Sequence, residues 1–74
     1  MSLLARERTA TVQSAQLVQI HGDAYVDLVA TFPDQPGARA MGRVPRSECP
    51  ADLVPGDMVA IRFVMNVMVS VRRA

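Results

Sequence analysis

The chain has 74 residues, half of them apolar, and a formal net charge of +1. This length allows one small domain, and the apolar content argues against a disordered chain. The charge is too small to imply nucleic-acid binding by charge alone. One cysteine and one histidine exclude an internal disulfide and the usual zinc-ligand sets.

The longest apolar stretch, residues 58–71, is interrupted by Arg62 and Asn66. It is shorter than the roughly 20 residues that a transmembrane helix needs. Residues 1–15 lack the apolar run of a signal peptide. We therefore expect no membrane insertion of this segment, and either a cytoplasmic location or a soluble fragment of a larger, membrane-anchored protein.

The first predicted strand covers residues 9–20, in which threonine, valine and isoleucine favour extended structure. Its apolar alternation slips near Ala15, so we expect a bulge there. A competing interpretation is a short helix capped by Ser2 and limited to the first turn or two, with Leu3, Leu4, Ala5 and Arg6 as its first residues.

A predicted turn at residues 21–24, in which Gly22 supplies the positive φ of a tight hairpin, leads into a second strand over residues 25–32. Its inward residues are Val26, Leu28, Ala30 and Phe32. Residues 33–37 contain two prolines and a glycine and predict a loop.

The third predicted strand, residues 38–44, places only small residues and a valine on one face. Its other face carries Arg39, Met41 and Arg43. Small inward residues and a glycine in mid-strand are typical of a sharply bent strand in a tight barrel. Three prolines then prevent sheet pairing across residues 45–55, where we expect one helical turn over residues 48–52 capped by Ser47.

Every odd-numbered position of the last segment is apolar: Val59, Ile61, Phe63, Met65, Val67, Val69 and Val71. A period of two predicts a strand with one buried face. One straight strand over residues 58–71 would span about 46 Å, too long for so small a domain. We therefore expect a hairpin turn at Met65-Asn66 between strands at residues 58–64 and 67–72.

These elements predict an all-β fold with at most one short helical turn. Five short antiparallel strands close most naturally into a small barrel, with an OB-like or, alternatively, an SH3-like strand order. Residues 1–74 form this single domain, with residues 1–8 as a loose N-terminal segment.

Three features resemble the soluble C-terminal barrel of NfeD-type membrane proteins, which is a small OB-type barrel. They are Ala10-Thr11-Val12 at the first strand, Pro55-Gly56-Asp57 followed by Val59-Ala60-Ile61, and the terminal Val67, Val69 and Val71. This resemblance implies a protein-interaction role near a membrane partner and no catalysis.

No catalytic or metal-binding constellation is recognisable in the sequence. His21 lies beside Asp23 in a predicted turn, but no motif places a nucleophile near it, so we interpret it as a surface histidine. Cys49 has Glu48 as its closest charged neighbour, which opposes thiolate formation and predicts a passive thiol. We expect no enzymatic activity and no cofactor.

The even-numbered positions of the last segment are the stronger functional signal. Met58, Val64 and Met68 are apolar on the side that a one-sided sheet would expose. Either the N-terminal segment, with Leu3 and Leu4, or another chain would cover this face. We predict a protein-interaction module that self-associates through an apolar patch on the last strands, containing Met41, Val64 and Met68.

The alternative prediction is a barrel that binds single-stranded nucleic acid. Its face would contain Tyr25, Arg39, Arg43 and Arg46. The second and third strands of OB barrels often form such a face, where bases stack on aromatic side chains within a positive groove. The competing interpretation of these arginines is a solvated outer face that keeps the sheet soluble.

Overall fold

The computed structural model describes residues 5–74, which form one antiparallel five-stranded sheet. The strands are β1 (Ala5–Ile20), β2 (Asp23–Thr31), β3 (Arg39–Pro45), β4 (Met58–Val64) and β5 (Val67–Arg73), and a 3-10 turn, Arg46–Glu48, follows β3. The hydrogen-bonded order is β3-β2-β1-β4-β5. The predicted all-β fold, with five antiparallel strands and one short helical turn, is confirmed.

Strand β1 is long because it pairs with two neighbours, β4 along its first half and β2 along its second. Gln13 is an extra residue between Val12 and Ser14, whose partners on β2 are consecutive. This bulge reverses the alternation, so that Val12 before it and Ala15 after it both face the core. The predicted bulge is therefore confirmed, close to Ala15.

The start of β1 contradicts the helical interpretation where the two overlap. Ala5 and Arg6 are extended and pair with Val64 and Phe63 of β4. Ser2, Leu3 and Leu4, which that interpretation and the predicted covering segment involve, lie outside the described residues.

Both tight hairpins turn where the sequence predicts, although the first turn is shorter than the predicted residues 21–24 because β2 begins at Asp23. The φ angles are 52° and 85° at His21 and Gly22, and 51° and 68° at Met65 and Asn66. Two consecutive positive φ angles match the right-handed twist of the flanking strands. The chain therefore reverses within two residues at each site.

The core lies on one side of the curved sheet and contains Leu28, Ala30 and Phe32, three of the four inward residues predicted for the second strand. The fourth, Val26, is also buried. Strand β5 differs from the prediction because Val69 is an extra residue: Arg62 pairs with Ser70, whereas Phe63 pairs with Met68. Met68 therefore faces the core with only 4% of its surface exposed. The sequence predicted that Val67, Val69 and Val71 all face the core. This prediction is wrong for Val67, which lies between the bulge and the turn and is exposed.

The connection from β3 to β4 contains the 3-10 turn, which begins earlier than predicted and has no side-chain cap. The predicted capping role of Ser47 is therefore wrong, because Ser47 lies inside the turn. Further along the connection, Gly56 N–H donates to the Val12 carbonyl, and Val12 N–H donates to the Asp57 carbonyl, both at 2.9 Å. These two bonds attach the connection to the bulge of β1.

Barrel closure is not observed in the described part of the chain. The sheet ends at β3 on one side and at β5 on the other, and these edge strands share no ladder of hydrogen bonds. They meet through a side chain instead: a Cβ built on Gly42 would lie 2.8 Å from Cβ of Met68. The Met68 side chain therefore lies between β3 and β5. It packs the two edge strands together without hydrogen bonds that would close the sheet.

Candidate interaction surface

The outer side of strands β2 and β3 forms a continuous face of mixed character. We call it the β2–β3 face and define it by Tyr25, Asp27, Val29, Arg39, Met41 and Arg43. These residues point outward because Val26, Leu28 and Val44, which alternate with them, are buried. The hairpin register places Asp27 opposite Arg43 and Val29 opposite Met41.

An ion pair lies in the middle of this face. Arg43 donates from Nε to Asp27 Oδ1 at 2.7 Å and from Nη2 to Asp27 Oδ2 at 3.0 Å. The two parallel bonds hold the pKa of the Asp27 carboxyl below its usual value and raise the pKa of the Arg43 guanidinium. The charge of Arg43 is therefore largely compensated within the chain itself.

Beside this pair lies an exposed apolar side chain. Met41 is 73% exposed, and its cross-strand neighbour Val29 is half-buried. Arg39 follows on the same side of β3 and forms no salt bridge with any residue in the range 5–74. Hence the β2–β3 face presents an apolar centre next to one uncompensated positive charge.

The predicted patch of Met41, Val64 and Met68 does not form. Met68 lies in the core because of the β5 bulge, and Val64 is half-buried at the end of β4. Strand β4 is separated from β3 in the sheet by β1 and β2. Of the three residues, only Met41 remains strongly exposed.

The residues predicted for a nucleic-acid face are brought together in part. Tyr25, Arg39 and Arg43 share the β2–β3 face, as the alternation along β2 and β3 predicts. Arg46 does not join them, because the strand alternation ends at Pro45. It lines a small cleft with Leu17, Val26 and Leu53.

Two contributors to the face were not predicted as site residues. Asp27 neutralises Arg43, and Val29 extends the apolar centre around Met41. The sequence shows that both point outward, but it does not show which residue of β3 each one faces. That pairing depends on the register across the loop at residues 33–37, which the composition of the loop does not determine.

The remaining reactive side chains do not form a site. Cys49 is half-buried, and burial raises the pKa of its thiol. It lines a shallow, open groove near Ser70 and the Glu7–Arg72 ion pair. His21 is exposed in its turn. No three histidine, cysteine or carboxylate side chains within the described range are close enough together to share a metal ion.

Neither a membrane-spanning helix within the described residues nor a known related protein indicates a function. Residues 5–74 contain no helix with the length and hydropathy needed to cross a bilayer. Comparisons of the chain with known protein families, with curated proteins and with solved structures find no match. The function must therefore be inferred from the residues of the chain itself.

Proposed function

We propose that this chain is a non-catalytic protein-interaction module that binds a partner protein, or a second copy of itself, through the β2–β3 face. The exposure of Met41 on an outer sheet face, between two arginines, is the observation that supports this proposal most directly. Tyrosine, methionine and arginine are enriched at protein interfaces, and methionine adapts its shape to a partner.

The side chains of the β2–β3 face indicate which chemical groups a partner would need. An apolar side chain would pack against Met41 and Val29, and a carboxylate would pair with Arg39. The Asp27–Arg43 pair needs no external charge and would contribute polar rim contacts. Self-association, predicted from the sequence for the last strands, is proposed here for the β2–β3 face instead, because Met68 lies in the core.

Sedimentation equilibrium of the full chain tests the self-associating form of this proposal. We expect the apparent mass to rise from 8.0 kDa towards twice that value with concentration. Met41→Ser should return the chain to a monomer. Met58→Ser is the matched control, because Met58 is exposed on β4 and lies outside the β2–β3 face.

A concentration series of amide NMR spectra locates the contact. Shifts concentrated on Val29, Arg39 and Met41 would support the β2–β3 face. A chain that stays monomeric at millimolar concentration rules out self-association, and shifts confined to β4 and β5 would rule out this face for the second copy.

A second candidate, single-stranded nucleic-acid binding, is favoured by the strand arrangement. Four antiparallel pairings in the order β3-β2-β1-β4-β5 require β3 and β5 to run parallel. We propose that this is an open variant of the OB-type arrangement, whose second and third strands provide the ligand face. Tyr25 would stack on a base, and Arg39 and Arg43 would contact phosphates.

The Asp27 carboxylate makes this the weaker candidate, since it lies where a phosphate backbone would pass. It also provides the sharpest test, a fluorescence titration with single-stranded oligonucleotides at low salt. If nucleic acid binds, Asp27→Asn should tighten binding, Tyr25→Ala should weaken it, and affinity should fall steeply with salt. Absence of binding at micromolar concentration rules out this candidate.

A further inference from the structure

The turn between β4 and β5 exposes apolar side chains at the end of the sheet. Met65 is 67% exposed and Val67 is 61% exposed. We call these two residues the hairpin tip. With φ at 51°, Met65 adopts a left-handed conformation that residues other than glycine, asparagine and aspartate rarely adopt. Glycine would fit this turn better, so the formation of the turn does not explain a large apolar side chain here.

Charge is distributed unevenly over the chain. The end with the hairpin tip also contains the start of β1, because Ala5 pairs with Val64, whereas the end of β2 and the start of β3 lie level with the start of β4. The side chains at this end and their ion-pair partners are four arginines and two carboxylates, a net charge of +2: Arg6, Arg8, Arg62 and Arg72 with Glu7 and Asp34. The connection between β3 and β4, counted in the same way, has two arginines and three carboxylates, a net charge of −1: Arg46 and Arg73 with Glu48, Asp52 and Asp57.

Two of these arginines keep their charge available near the hairpin tip. Arg6 donates from Nη2 to Asn66 Oδ1 at 3.2 Å, a contact with a neutral amide that holds the guanidinium beside the turn. Arg62 is exposed and lies opposite Glu7. The Glu7 carboxylate, however, binds Arg72 at 2.7 Å. Neither Arg6 nor Arg62 has a salt bridge within the described range.

Arg8 has a structural role instead. Its guanidinium lies 3.8 Å from the centroid of the Phe32 ring and also contacts Asp34 and Gln35 at 3.2 Å. It therefore attaches the loop at residues 33–37 to this end of the core.

We propose that the hairpin tip inserts into the surface of an anionic lipid bilayer. Met65 and Val67 would enter the boundary of the acyl chains, while Arg6 and Arg62 would lie at the level of the phosphates. A projecting apolar turn beside basic side chains combines the two forces that hold peripheral proteins on such membranes. A second copy fits less well, because two positively charged ends repel each other. This proposal replaces, for Met65 and Val67 alone, the expectation from the sequence that residues 58–71 do not insert into a membrane. The contact is peripheral, crosses no bilayer and is separate from the β2–β3 face.

Co-sedimentation of the full chain with vesicles tests this proposal. We expect binding to phosphatidylcholine vesicles that contain phosphatidylglycerol, weaker binding at high salt, and little binding to phosphatidylcholine alone. Met65→Gly should weaken binding roughly tenfold while making the turn easier to form, so unfolding cannot explain the loss. Arg62→Gln should weaken binding about fivefold, the contribution of one basic residue near such a surface.

Two controls separate this surface from the others. Val54→Ser removes an apolar side chain that is 56% exposed in the connection between β3 and β4, and Met41→Ser alters the β2–β3 face. Both variants should bind vesicles like the unaltered chain. Equal binding to neutral and anionic vesicles, or unchanged binding by Met65→Gly, would overturn the proposal. So would a Met65→Gly variant that loses self-association in the absence of lipid, because a second copy would then occupy the hairpin tip.

Discussion

Replacing Gly42 by alanine tests how the two edges of the sheet meet. Gly42 lies in mid-strand on β3, and its φ is outside the left-handed region, so the backbone there accepts an alanine. The obstacle is Met68 on β5. The new Cβ would lie 2.8 Å from Cβ of Met68, 3.2 Å from its Sδ and 3.3 Å from its Cε.

The expected loss of stability follows from these distances. The thioether can rotate away, but Cβ of Met68 moves only with the backbone of β5. Forcing an extra carbon into a packed core typically costs about 1–3 kcal/mol. Against this, replacing glycine by alanine stabilises by about 0.4–1 kcal/mol through the unfolded chain. Taking the midpoints of these two ranges, we expect the free energy of unfolding of Gly42→Ala to fall by about 1.3 kcal/mol.

Urea unfolding followed by circular dichroism measures this loss, and two double variants locate its origin. Combining Gly42→Ala with Met68→Ala keeps both Cβ atoms, so the penalty should persist relative to Met68→Ala alone. Combining it with Met68→Gly removes the opposing Cβ, so the penalty should disappear relative to Met68→Gly alone. Gly56→Ala is the control: its cost comes from a φ of 97° in open space and should not depend on residue 68.

A Gly42→Ala variant as stable as the unaltered chain, or more stable, would refute this reasoning. So would an equal penalty in both double variants. Either result would mean that β3 and β5 do not approach each other at this point, and that the sheet is flatter than described.

Three further predictions follow from burial and charge. Ile61→Ala should lose about 2–5 kcal/mol in the same unfolding assay because Ile61 is fully buried, whereas Met58→Ala should lose much less; equal losses would contradict the assigned core face. Cys49 should react with a disulfide reagent at pH 8 more slowly than free cysteine, because burial raises the pKa of its thiol; a faster reaction would contradict this. Asp27→Asn should destabilise the chain at neutral pH. Arg43 lowers the pKa of Asp27 in the folded chain, so the stabilisation by the ionised pair is lost as pH falls through that lowered pKa. If Asp27→Asn remained equally less stable than the unaltered chain in acid, that result would argue against the pair.

For the β2–β3 face, the sequence predicts which side chains point outward but not which side chains lie opposite each other. The alternation along β3 predicted that Arg39, Met41 and Arg43 point outward, and they do. The sequence could not show that Asp27 faces Arg43, because that pairing depends on the register across a loop. Nor could it show that Met68 turns inward, because the bulge at Val69 adds one residue and reverses the parity on one side of it.

The amino-acid sequence by itself determined the class of the protein, the number of strands and the positions of both tight turns. These features depend on local properties: the period of apolar residues, and the positions where prolines, glycines and asparagine interrupt it. Only the tertiary structure decided the strand order, the lack of hydrogen bonding between the edge strands β3 and β5, and which methionines are exposed. Those features depend on contacts between residues far apart in the chain, and one extra residue in a strand is enough to change which side chains meet.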